Sequence, residues 1–154
     1  MNTNALARKH LERRLAPLRD QPDFMRPSRG WMRAVREALG MTTRQLAQRI
    51  GKSQSAVVEM EKSEARDTVS LAILRQAAEA LGCTLVYALV PNRPIEDTLR
   101  ARASELASQR LARASHTMVL ENQALGPAAR EAERERLIEQ LLRGSPARLW
   151  DDVA

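Results

Sequence analysis

The stretch TTRQLAQRIGKSQSAVVEMEKS, residues 42 to 63, sets two short helical patterns on either side of one glycine, Gly51. Neither pattern is long enough to persist alone in water, so each must be held by a larger core. Leu46, Ala47 and Ile50 give the first its buried side, and Val57 and Met60 hold down the second. TTRQ fits a capping box, in which the Thr42 hydroxyl accepts from the backbone and Gln45 reaches back. Ser53 caps the second helix, which runs to about Lys62.

The flanks read as further helices. Ser28 is an N-cap candidate for RGWMRAVREAL, which Gly40 closes, and SLAILRQAAEALG runs from Ser70 to Leu81 before Gly82. Four helices with very short connections form a compact bundle. CTLVYALVP, residues 83 to 91, is rich in β-branched and large apolar residues and reads as a strand. It is the only strand candidate, and a lone strand leaves its backbone groups without partners. Pairing with its own copy across a two-fold axis, as an antiparallel ribbon in a homodimer, resolves that; the alternative is an apolar stretch tucked against the bundle.

Outside the bundle, residues 5–18 read as an amphipathic helix with Leu6, Leu11, Leu15 and Leu18 on one face, followed by a linker with Pro22 and Pro27. A long helix spans residues 94 to about 122, with Ala103, Leu106, Ala107, Leu111, Ala114 and Met118 on one side. AAREAERERLIEQLLRG is the last helix, and Trp150 stands in the tail. The expected division is 1–27 as an arm and linker, 28–91 as the bundle with its terminal strand, and 92–154 as a C-terminal helical region.

Composition removes several function classes. The single Cys83 excludes an internal disulfide framework, and His10 and His116 lack companions at metal-ligand spacing. There is no glycine-rich phosphate loop, and aromatic residues make up 3%. We therefore expect no catalytic residues, no metal and no cofactor, and a chain that is not an enzyme. No run resembles a membrane span or a signal-peptide core, so the expected location is the cytoplasm. A net charge of +6 favours polyanionic partners.

The second helix of the opening stretch carries Gln54, Ser55, Val58, Glu59 and Lys62 on the face opposite Val57 and Met60. A glutamine amide can donate and accept together on an adenine edge in the major groove, and a lysine suits phosphate. Thr43, Arg44, Lys52 and Ser53 cluster at the helix starts, where backbone N–H groups also favour phosphate. Glu59 has two readings, an acceptor for a cytosine amino group or a repeller of phosphate that sharpens selectivity. Any amphipathic helix has a solvated polar face, so the face alone does not establish DNA binding.

LAQRIGKSQSAVVEMEKS, preceded by VREALGMT and followed by LRQAAEALG, resembles the helix-turn-helix of the phage-repressor or Xre family. The resemblance implies a mainly α, phage-repressor-like bundle that binds a double-stranded DNA operator. It also implies that Arg36 pairs with Glu61 as a structural ion pair and not as a DNA contact.

TMVLEN, residues 117 to 122, has the spacing Ser/Thr, three residues, Glu, then Gly or Asn. That pattern resembles the inhibitory helix of antitoxins that silence Fic-domain adenylyltransferases, and it implies Glu121 as the blocking carboxylate beside Thr117 and Asn122. Over most of its length, through RGWMRAVREALGMTTRQLAQRIGKSQSAVVEMEKS, LGCTLVYALVP and SPARLWDD, the chain is similar to the family called mobile mystery protein A. Its members are encoded beside a Fic-domain companion, mobile mystery protein B, so the resemblance implies an autorepressor that neutralises a Fic-type toxin. Two alternatives stay open: a plain helix-turn-helix regulator whose C-terminal helices only mediate dimerisation or other protein contacts, and a regulator that senses a ligand in its C-terminal half.

Overall fold

The computed structural model describes residues 3–21, 25–120 and 126–151, with side chains throughout except those of 3, 115 and 117–120. The described residues are mainly helical: α1 (Thr3–Arg19), α2 (Trp31–Ala38), α3 (Thr43–Ile50), α4 (Gln54–Ala65), α5 (Leu71–Ala80), α6 (Ile95–Leu120), α7 (Pro127–Arg143) and a 3-10 turn at Pro146–Leu149. They fall into two compact units, Gln21–Leu89 in one and Met1–Asp20 with Val90–Ala154 in the other.

In the first unit α2 to α5 form the expected bundle. Thr42 and Gln45 complete a capping box at the start of α3, and the Ser53 and Ser70 hydroxyls accept from the backbone at the starts of α4 and α5. Each such cap contributes about 0.5–2 kcal/mol. Gly51 closes α3 at φ 76°, a left-handed conformation that only glycine adopts without cost, and this lets α4 begin three residues later. The fully buried Leu46 and Val57, with Ala47 and Leu81, bind α3, α4 and the end of α5 together, while Met32, Met60 and Ala77 join α2, α4 and α5. Burial of a side chain of this size contributes about 1.5–3 kcal/mol, enough to hold helices too short to survive alone.

The start of α2 differs from the sequence expectation. Ser28 does not cap it: the N-cap is Gly30, which offers no side chain. The orphan N–H groups of Trp31 and Met32 instead donate to the Glu64 carboxylate at 2.8 and 2.9 Å. A carboxylate far along the chain thus does what a local hydroxyl usually does. Negative charge at a helix N-terminus also complements the helix dipole.

The strand expected at residues 83–91 is not formed. Residues 83–91 carry no regular secondary structure, and no β-strand occurs among the described residues. The reason is topological, since a strand exists only through a paired neighbour and the described residues supply no second one. Val86, Tyr87 and Leu89 are exposed, Leu89 to 90%.

In the second unit α6 packs along α7 and the 3-10 turn through Leu99, Ala103, Leu106, Ala107, Ile138 and Leu149, with Leu137, Leu141 and Leu142 around them. The alanines let the helices approach closely. Arg102 donates to the Leu149 carbonyl at 2.8 Å, which fastens the tail. Among the described side chains, the buried residues of α6 lie in its first half, whereas Ala112, Arg113, Ala114 and His116 are exposed.

α1 belongs to this same unit. Glu12 accepts from Arg19 at 2.6 Å and from the Ile95 N–H at 3.1 Å, Arg8 pairs with Glu96 at 2.8 Å, and Arg19 donates to the Pro91 carbonyl at 2.8 Å. The leucine face expected from the sequence is only half engaged: Leu15 and Leu18 are half-buried, whereas Leu6 and Leu11 are exposed. Ion pairs as well as leucines face the unit, which rotates the docked side away from the leucine stripe.

Candidate nucleic-acid interface

α3, the turn at Gly51 and α4 present one continuous polar edge. Arg44, Lys52, Ser53, Gln54, Ser55, Glu59 and Lys62 are exposed, and Thr43 and Val58 are half-buried beside them. Opposite them Val57 and Met60 are buried, so the outward face of α4 is fixed by what its inward face packs against.

Hydrogen bonds pre-arrange this edge. The Gln54 amide Nε2 donates to Thr43 Oγ1 at 3.0 Å, joining the first residue of α4 to the first residue of α3. That bond leaves the Gln54 carbonyl oxygen and its second amide proton for an outside partner, a donor and acceptor side by side. Ser53 Oγ accepts from the Ala56 N–H at 3.1 Å and lies 3.1 Å from Ser55 Oγ. The side chains of Arg44, Lys52 and Lys62 have no hydrogen bond or ion pair among the described residues. Their charges are thus uncompensated where two helices begin and along the exposed face.

Glu59, the one acid on that face, is paired with Arg66 at the end of α4. Both side chains are more than half exposed, so the pair is labile, but it masks a carboxylate that otherwise repels phosphate. Arg66 had no part in the sequence reading. The signal available was its spacing of seven residues from Glu59, two turns along the same helix face.

Behind the edge, Arg36 on α2 grips Glu61 on α4 from the buried side. Arg36 Nε donates to Glu61 Oε1 at 2.6 Å and Nη2 to Oε2 at 3.0 Å, while Nη1 donates to the Met41 carbonyl at 2.9 Å. The hydrogen bond to Glu61 raises the Arg36 pKa above its usual value, outweighing the opposite effect of burial. The pair faces away from the exposed edge and orients α4 against α2. Glu64, one turn further along α4, adds the cap on α2 described above, so two acids on one helix position the first helix of the bundle.

The residues expected to act on a partner protein are not gathered here. Glu121 and Asn122 lie outside the described residues, and the side chain of Thr117, in the last turns of α6, is likewise undescribed. No helix among the described residues is long and apolar enough to cross a membrane.

Residues 32–87 match the HTH_3 family model, described as helix-turn-helix. The match begins within α2 and takes in α3, α4, α5 and the segment after them. No curated protein and no solved structure matches the chain.

Proposed function

We propose, from the premise that residues 32–87 form a helix-turn-helix domain, that the protein is a sequence-specific DNA-binding transcriptional regulator that represses its own operon and is not a catalyst. The observation that carries this reading is the exposed edge of α3 and α4: Gln54 leads it with paired donor and acceptor groups, and Arg44, Lys52 and Lys62 surround it without carboxylate partners among the described residues. In this reading α4 enters the major groove, Gln54 and Ser55 meet base edges with Val58 against them, and Thr43, Arg44, Lys52, Ser53 and Lys62 meet the sugar-phosphate backbone.

The test compares two substitutions on a selected operator duplex and on mixed-sequence DNA. Gln54→Ala lowers discrimination by roughly 5- to 150-fold, the equivalent of about 1–3 kcal/mol for a bidentate base contact. Lys52→Ala weakens binding to both duplexes alike. Equal losses for both variants on both duplexes would overturn the assignment of Gln54 to base reading.

Homodimerisation is part of the proposal. Residues 84–90 make no backbone hydrogen bond among the described residues and expose Val86, Tyr87 and Leu89. Antiparallel pairing with the same segment of a second copy satisfies both the backbone and the apolar side chains. Light scattering on the full chain tests it: Ala88→Pro, which removes one ladder donor, shifts the mass to that of a monomer, and an unchanged mass overturns the ribbon.

A partner role for the C-terminal helices rests on the resemblance to Fic-silencing antitoxins and on the exposure of Ala112, Arg113, Ala114 and His116 of α6. Glu121, with Thr117 and Asn122, is assigned to an arginine in the nucleotide site of a companion Fic-domain toxin of the mobile mystery protein B type. Co-expression with that companion tests it. Glu121→Gly is expected to restore adenylylation while leaving the complex intact, and full inhibition by that variant would overturn the role of Glu121.

A further inference from the structure

Charge is spread unevenly over the helices. α1 carries five cationic side chains, Arg8, Lys9, Arg13, Arg14 and Arg19, against the single carboxylate of Glu12, a net of +4 out of the chain's +6. α7, of equal length, has four arginines and four glutamates. Several of those charges are consumed locally, Arg134 by Glu131 at 2.8 Å and Arg100 of α6 by Glu135 and Glu139.

The cations of α1 divide by face. Arg8 and Arg19 turn toward their own unit and are engaged by Glu96 and Glu12. Lys9, Arg13 and Arg14 are exposed, as is His10, and the three strong cations have no hydrogen bond or ion pair among the described residues. At 3.6 residues per turn, positions 9, 10, 13 and 14 span about 140° of arc opposite the docked side. Lys9 and Arg13 stand four residues apart and Arg14 adjoins Arg13, so this surface repels itself until a polyanion covers it.

We propose that this face of α1 is a second, sequence-independent DNA contact, in which Lys9, Arg13 and Arg14 neutralise backbone phosphates of the same duplex that α4 reads. The inference rests on the DNA-binding reading above. α1 is joined to the helix-turn-helix unit by continuous chain, so docking of one raises the effective concentration of the other at the duplex. An anionic lipid surface fits less well. An interfacial helix inserts an apolar stripe, whereas Leu15, Ala16 and Leu18 of α1 are half-buried against their own unit and the exposed Leu6 and Leu11 stand about 140° apart around the helix, which makes no stripe.

The experiment measures binding of the full chain to a mixed-sequence duplex by fluorescence anisotropy over a range of salt concentrations. The variant Lys9→Ala/Arg13→Ala/Arg14→Ala is expected to bind with a log–log salt slope shallower by about 2–3, at about 0.9 per phosphate contact. Arg136→Ala/Arg143→Ala, on exposed positions of α7, leaves the slope unchanged. An unaltered slope in the triple variant overturns the proposal. So does a triple variant that loses binding to phosphatidylserine vesicles yet keeps the DNA slope. If Gln54→Ala binds every duplex as the parent does while the triple variant still loses slope, the reading of α4 falls and the α1 contact stands.

Discussion

Arg36 and Glu61 meet as a two-point ion pair, 2.6 Å and 3.0 Å, with both residues less than a tenth exposed. Removing one member strands a charge in the core. We expect Glu61→Ala to destabilise the domain by about 3–5 kcal/mol, while Arg36→Met/Glu61→Leu costs far less because no charge is left unpaired. Thermal or urea unfolding of the three proteins checks this. Equal destabilisation by the single and the double variant would show that the pair does not act as a unit.

Gly30 is held at φ 89°, and a Cβ there would lie 2.6 Å from a Glu64 carboxylate oxygen. Gly30→Ala therefore strains the backbone and pushes away the cap of α2. A loss of about 1–3 kcal/mol is expected from the positive φ alone. Glu64→Gln retains an acceptor oxygen and is expected to be the milder change. Urea midpoints order the two.

Arg66→Ala frees the Glu59 carboxylate on the outward face of α4. Affinity for mixed-sequence DNA is then expected to fall several-fold, most at low ionic strength where repulsion is least screened. The double variant Arg66→Ala/Glu59→Gln is expected to recover it. Recovery failing in the double variant would mean that Arg66 acts by touching DNA itself.

Glu12 fastens α1. The Arg19 hydrogen bond, and after it the Ile95 N–H, lower the Glu12 pKa below the ordinary glutamate value. A carboxylate whose folded pKa is depressed contributes stability above its unfolded pKa and loses it as the pH falls through the folded value. Docking of α1 should thus weaken on acidification below the ordinary glutamate range. Hydrogen exchange of α1 amides against pH checks this. Glu12→Gln is expected to flatten the dependence.

The bundle was legible because its signals are local. Thr42 with Gln45, Ser53 and Gly51 are punctuation that reads correctly within four residues, and the burial of Leu46 and of Val57 follows from helical periodicity. Arg36 and Glu61 lie 25 residues apart, and only the resemblance to a known family brought them together. Nothing local announced Glu64, because the helix it caps begins 33 residues earlier and offers a glycine where a hydroxyl was expected. The orientation of α1 escaped the leucine pattern for a related reason: its docked side is defined by Arg8, Glu12 and Arg19, whose partners stand mostly beyond residue 90. Residues 83–91 carry the composition of a strand, and composition does not supply the second strand.

The split of one unit across both ends of the chain has a consequence for biosynthesis. Residues 21–89 make their contacts within one uninterrupted segment and can fold while the rest is still being translated. α1 precedes that segment yet cannot make its contacts to Pro91, Ile95 and Glu96 until residues beyond 90 have left the ribosome. α1 is therefore made before residues 21–89 but secured after them, and its exposed Lys9, Arg13 and Arg14 are open to ribosomal RNA and other anions throughout that delay.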